Sequence, residues 1–210
     1  MHAEPGWLVR AYQLFYATGM NGGSRSSRGF WALWVTQFQG AFSDNVYKNL
    51  VTFLILALTV PVAQKDGLIL WVGVLFAAPF ILFSMTGGWL ATRFSKRTVT
   101  IGVKLLEVTV MTLATVGLMF EHLPSLLTGV FLMSFQSALF GPSKYGLLPE
   151  LLPEPDLSWG NGVIQMGTNV ATLLGTVASG FLADAFAGRQ QWSGIILVAL
   201  ALLGTVSSLG

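Results

Sequence analysis

From Gly67 to Thr92 the chain carries no charged residue. A stretch of that length exceeds the ~20 apolar residues with which an α-helix crosses a bilayer, and a helix satisfies its own backbone hydrogen bonds there. Similar stretches recur at approximately 30–62, 99–120, 123–148, 157–183 and 191–210. They are continuously apolar, without the alternation of polar and apolar positions that a transmembrane barrel strand requires. The reading is an all-α membrane protein with six transmembrane helices. Composition agrees: with 53% hydrophobic and 10% charged residues, the chain has too much apolar surface for one water-soluble core.

The charge balance and the missing residue types exclude several kinds of chemistry. The isoelectric point is near 9.1, yet the formal net charge is only +2. The basic residues are scattered among apolar segments, which argues against a nucleic-acid partner. Cysteine is absent, which removes disulfides, thiol catalysis and thiolate metal sites. Two histidines, His2 and His122, do not make a histidine metal centre, and no cofactor is expected.

Residues 1–29 read as a cytoplasmic amino-terminal tail and residues 30–210 as the helical bundle. The apolar piece of the tail, Trp7 to Tyr16, is interrupted by Arg10 and Gln13 and adjoins no small-residue cleavage site, so it is not read as a signal peptide. Orientation follows from the basic residues in short connections. Arg25 and Arg28 precede the first helix, and Arg93, Lys96 and Arg97 separate the second from the third. With alternating helices both groups fall on one side, the cytoplasmic one. Tryptophans at positions 31, 34, 71, 89, 159 and 192 lie near the expected ends, as interfacial anchors do. Pro79 is expected to bend the second helix, and Gly141-Pro142 with Gly146 and Pro149 to break the end of the fourth. On the fifth, Gly167, Ala171, Gly175 and Ser179 recur every four residues, a spacing that favours tight helix packing.

Polar groups at membrane depth are the candidates for function, because a charge near the bilayer centre costs at least ~2.5 kcal/mol and is normally sheltered by protein or a watery cavity. Asp44, Asn45 and Lys48 lie in the middle of the first stretch. At 1.5 Å per residue Asp44 sits about 12 to 21 Å from the cytoplasmic edge, near the midplane. Asp44 and Lys48, four apart, share a helix face; they either neutralise each other or serve binding and gating. Lys144 falls near the cytoplasmic boundary, where it either receives a phosphate, snorkels to the interface or pairs with Glu150. Lys104 and Glu107 read as a satisfied pair. Asn161, Gln165 and Asn169 either line a polar cavity or bond another helix.

Two motifs carry a resemblance. Gly88-Trp89-Leu90-Ala91-Thr92-Arg93-Phe94-Ser95-Lys96-Arg97 resembles the loop signature of the major facilitator superfamily, with Gly88, Leu90, Ala91, Arg93, Lys96 and Arg97 in register. Thr92 stands where that signature has an aspartate, and Ser95 where it has its second glycine. The segments Phe42-Ser43-Asp44-Asn45, Lys48-Asn49, 137–154 and 157–162 are similar to the lysophospholipid transporter branch of that superfamily. The resemblance implies the amino-terminal half of a twelve-helix fold, partnered by a second six-helix half. It implies transport of lysophospholipid, such as lysophosphatidylethanolamine, across the bacterial cytoplasmic membrane. Some members are fused to an acyltransferase, which makes that enzyme a possible partner. The substrate-binding or gating candidates are Asp44, Asn45, Lys48, Lys144, Asn161 and Gln165. Efflux of amphipathic drugs and a non-transporting scaffold remain as alternatives. Catalysis within the chain is not expected: neither histidine has an aspartate five positions on, and the Gly-x-x-x-x-Gly-Lys phosphate loop is missing.

Overall fold

The computed structural model describes residues 25–208. The expected tail lies almost wholly outside them. Six long helices follow one another: α1 (Arg25–Ala57), α2 (Val62–Arg93), α3 (Lys96–Phe120), α4 (Leu123–Leu151), α5 (Leu157–Ala185) and α6 (Gln191–Ser208), with a 3-10 turn (Glu154–Asp156) before α5. The helices α2 to α6 are long and apolar enough to cross a membrane. The first is longer still at 33 residues, but its amides and charges keep it below the same threshold of apolarity. It lies where those groups can be sheltered, packed against α2, α4, α5 and α6.

Local chemistry sets the helix ends. Pro61 precedes α2, where it forms the cap position with extended backbone. Ser95 caps α3 by accepting a hydrogen bond from the Thr98 N–H at 3.1 Å, which gives a physical role to the serine that departs from the loop signature. Glu121 closes α3 in the left-handed region, φ 48°, with its N–H on the Gly117 carbonyl. The end of α4 does not break as the sequence suggested: the helix runs through Pro142 and Pro149 to Leu151. A proline interrupts a single backbone hydrogen bond, and packing on neighbouring helices maintains the remainder. Helix α2 runs from Val62 to Arg93 with Pro79 inside it and buried.

Two apolar clusters and a polar layer between them organise the interior. Near the end carrying Arg28, Arg93, Lys96 and Arg97, hereafter the basic end, Phe30 and Leu33 of α1 meet Val99 and Val103 of α3, Leu139, Phe140 and Leu148 of α4 and Ile164 of α5. Toward the opposite end Tyr47, Leu50, Val51 and Ile55 of α1 pack with Met111 and Leu118 of α3, Val130 and Met133 of α4, and Leu197 and Ala201 of α6. Tyr47 is fully buried, its hydroxyl donating to the Leu126 carbonyl at 3.1 Å. Gly129 leaves room for its ring, since a Cβ there would overlap the phenol oxygen. Between the clusters, residues 36–45 of α1, 104–107 of α3 and 134–137 of α4 present polar side chains to one another.

Candidate functional site

The polar layer is a connected network built from three helices. Its centre is the fully buried pair of Lys104 and Glu107, one turn apart on α3, with Nζ and Oε2 separated by 2.6 Å. Gln39 of α1 bridges both ions: its Oε1 accepts from Lys104 at 2.8 Å and its Nε2 donates to Glu107 Oε1 at 2.9 Å and to Ser43 at 3.0 Å. Gln136 of α4 adds a donor to Glu107 Oε2 at 3.5 Å. Beside it, the Ser137 hydroxyl lies 2.5 Å from Asp44 Oδ2 and 3.2 Å from Gln136 Oε1. The chain of contacts therefore runs from Lys104 through Glu107, Gln136 and Ser137 to Asp44. Glycines make the space for it: a Cβ on Gly204 of α6 would overlap the Gln39 carbonyl oxygen, and one on Gly40 would sit 3.3 Å from the Lys104 ammonium.

Asp44 is buried, and its second oxygen, Oδ1, has no hydrogen-bond partner. The neutralising contact with Lys48 is not made. Among the described residues the ion pairs are Lys104–Glu107 and Lys96–Glu150. The Lys48 ammonium instead lies 3.1 Å from Asn45 Oδ1 and 4.6 Å above the Phe76 ring of α2. Sharing a face on one helix brought the two charges near each other, but an amide and an aromatic face supplied the closer partners.

A second polar seam joins α1 to α5, which run parallel from the basic end. Gln37, Asn45 and Asn49 donate to the hydroxyls of Thr168, Thr172 and Thr176 at 3.0, 3.2 and 3.0 Å. The Trp34 indole, placed at an interface by the sequence reading, donates to the Val163 carbonyl at 3.2 Å inside this seam. The small-residue stripe is the reason the helices approach so closely. A Cβ on Gly167 would meet the Trp34 ring, and one on Gly175 would lie 2.8 Å from the Phe42 carbonyl. Next to the seam Asn161, Gln165 and Asn169 are exposed, and they bond within α5. Asn161 donates to the Leu157 carbonyl and Gln165 to Asn169, so of the two expected arrangements the bond to another helix is not the one these groups make.

At the basic end, Lys144 is buried with its ammonium 4.5 Å from the Tyr145 ring. Glu150, one expected partner, is paired with Lys96 at 2.5 Å instead. In the loop signature, Gly88 faces open space, while its neighbour Gly87 packs against the backbone of Ala138 and Leu139. Leu90 packs on the basic-end cluster, and Arg93 and Arg97 are exposed. Thr92 bonds to the Trp89 carbonyl of its own helix.

Sequence reading missed Gln39, Ser43 and Ser137 as members of the network, and the threonines opposite the α1 amides. Gly40 and Gly204 were missed too. A glycine inside a helix costs ~1 kcal/mol relative to alanine, so both positions carried a signal of close approach.

A bundle of apolar helices around a mid-depth layer of ions and amides defines a polytopic membrane protein with a polar interior. The chain belongs to the major facilitator superfamily, whose family model matches residues 33–209. It is similar to the lysophospholipid transporter LplT of Cronobacter sakazakii, 32% identical over 189 residues, covering 89% of this chain and 43% of that protein. The protein of that name in Escherichia coli is 34% identical over 178 residues, 83% of this chain and 39% of the relative. For Escherichia fergusonii the identity is 33% over 161 residues, 75% and 37%. The chain thus spans about two fifths of the length of these relatives.

Proposed function

We propose that the chain forms the amino-terminal half of a carrier that moves lysophospholipid, such as lysophosphatidylethanolamine, across the bacterial cytoplasmic membrane. The basic end faces the cytoplasm, as the positive-inside rule requires, and a second six-helix half completes the path. The observation that carries the reading is the combination of a buried carboxylate, Asp44, with a stripe of exposed amides at membrane depth on the adjoining α5. Exposed amides there are costly against lipid tails and favourable against a hydrated cleft or a polar headgroup. A lysolipid poses the same mixed demand. Its headgroup needs polar partners, while its single acyl chain rests on apolar wall. In this arrangement the headgroup amine meets Asp44, the phosphate meets Lys48 or Lys144, and Asn45, Asn161 and Gln165 line the way. The chain itself performs no catalysis; an acyltransferase, fused or separate, would consume the delivered lysolipid. The chain's similarity to proteins named for this transport supports the substrate class.

Uptake of labelled lysophosphatidylethanolamine by cells expressing the full-length protein tests the reading. Asp44→Asn is expected to abolish uptake at normal expression, and normal uptake would remove Asp44 from the mechanism. Transport of a cationic dye without transport of lysolipid would point to drug efflux instead.

A further inference from the structure

We propose that the basic end of the bundle carries a second binding site, one for a phosphate ester, in the cavity enclosed by α1, α3, α4 and α6. The inference rests on the carrier reading only for the side from which the ligand arrives, the cytoplasm. The cavity measures about 610 Å³. It stands apart from the substrate path: Asp44, Asn45, Lys48 and Lys144 do not line it.

The two ends of the cavity differ in chemistry. Arg28 of α1 and Arg97 of α3 stand at the outer end, both exposed. Among the described residues no carboxylate lines the cavity, so the two guanidinium groups set its charge. A guanidinium presents a planar fork of N–H donors that matches the oxygens of a phosphate in pairs. Apolar side chains of α1 and α4 form the wall between this end and the interior. At the inner end lies Thr36, which is 1% exposed. It is two turns inward of Arg28, about 12 Å along α1 at 1.5 Å per residue.

The hydroxyl groups of the cavity give the inner end its role. Thr100, Ser207 and Ser208 also line it, and their hydroxyls donate to the carbonyls of Lys96, Ala32 and Thr205. The Thr36 hydroxyl is buried and has no partner. Helical threonines elsewhere in the bundle spend theirs on the carbonyl four residues back, as Thr52, Thr100 and Thr205 do. For Thr36 that carbonyl is Ala32, and Ser207 of α6 donates to it instead. A donor is thereby held at the inner end at a cost in stability, and an arriving acceptor removes that cost.

Across about 12 Å a bare phosphate ion meets one end or the other, not both. The arrangement fits an anion whose phosphate rests on Arg28 and Arg97 while a second oxygen, a hydroxyl or a carbonyl, accepts from Thr36. A polyol phosphate ester has that form. It arrives either as the headgroup of an anionic phospholipid in the cytoplasmic leaflet or as a soluble ester.

Binding to the purified, delipidated full-length protein in detergent, followed by calorimetry, tests the site. Dioleoylphosphatidylglycerol and glycerol 3-phosphate are the separate probes, and zwitterionic dioleoylphosphatidylcholine is the control. At least one anionic probe is expected to bind and the control is not; binding of the lipid alone assigns the ligand to the membrane, and binding of glycerol 3-phosphate assigns it to the cytoplasm. Arg28→Gln/Arg97→Gln is expected to weaken binding at least ~10-fold. Thr36→Val keeps the shape and removes the hydroxyl, so it is expected to weaken binding roughly fivefold. Its melting temperature without ligand stays at or above that of the unsubstituted protein, because no internal bond is lost, and this pairing separates a ligand contact from a structural one. Arg28→Lys/Arg97→Lys replaces the glutamine variant should that fail to fold; it keeps the charge, loses the fork and is still expected to bind more weakly. Absence of binding by both anionic probes, equal binding of phosphatidylcholine, or affinities unchanged by the arginine or the threonine substitutions would overturn the proposal. The assay involves no transport, so its failure leaves the carrier reading standing, and a failure of lysolipid uptake leaves this site standing.

Discussion

Gly204→Ala reports directly on how the polar layer is held. The new methyl would overlap the Gln39 carbonyl oxygen and lie 3.3 Å from the Lys104 ammonium. The Gln39 amide has nowhere to retreat without loss, because it accepts from Lys104 at 2.8 Å and donates to Glu107 at 2.9 Å. Each bond to a charged partner contributes roughly 1.5–3 kcal/mol. Replacing a helical glycine by alanine returns about 1 kcal/mol through lower backbone entropy in the unfolded chain. The net expectation is a loss of ~2–5 kcal/mol, read as the midpoint shift of unfolding in mixed detergent and SDS micelles followed by circular dichroism. Gly102→Ala on α3, where an added Cβ meets nothing within 4 Å, is the control and is expected to be neutral or slightly stabilising. In the double variant Gln39→Ala/Gly204→Ala the obstructing amide is gone, so most of the cost of the second substitution disappears and the pair couples by ~2 kcal/mol or more. Equal stability of Gly204→Ala and Gly102→Ala, or simple additivity of the Gln39 and Gly204 changes, would refute the packing argument.

The remaining predictions concern the other seams of the bundle. Gly175→Ala places a Cβ 2.8 Å from the backbone carbonyl of Phe42, which cannot rotate away, so it is expected to destabilise by ~1–3 kcal/mol; an unchanged denaturation midpoint would show that α1 and α5 separate without cost. Lys104→Met leaves the buried Glu107 unpaired and is expected to cost ~3–5 kcal/mol, while Lys104→Met/Glu107→Leu costs less than the single change. A double variant worse than the single would refute that account. Lys96→Gln breaks an ion pair whose side chains are 30% and 57% exposed, so a loss below ~1 kcal/mol is expected, shrinking further in salt.

Some of this was legible in the residues because it is a property of one helix at a time. Apolar length marked α2 to α6 as helices able to cross a membrane, and the glycine stripe at four-residue spacing marked α5 as a packing surface, which its approach to Trp34 and Phe42 bears out. The Lys104–Glu107 pair was legible for the same reason, since residues three apart on a helix are neighbours whatever surrounds them. Contacts between helices were not legible. Spacing of four put Asp44 and Lys48 on one face and left open whether they neutralise each other or serve binding and gating; it did not reveal that Phe76 of another helix stands under the ammonium. It offered Glu150 to Lys144, although the turn between α2 and α3 brings Lys96 closer.

The sequence by itself determined the solvent, the class of fold and the family, because hydropathy, helix length and a local loop motif are all written along one strand of chain. Tertiary structure alone decided that Gln39, Gln136 and Ser137 link a buried ion pair to Asp44, and that Gly40 and Gly204 keep the space open for them. The physical reason is that helical periodicity fixes which side chains share a face, whereas the partner of each face depends on how six helices pack together. In a low-dielectric interior, that choice of partners sets where each charge rests.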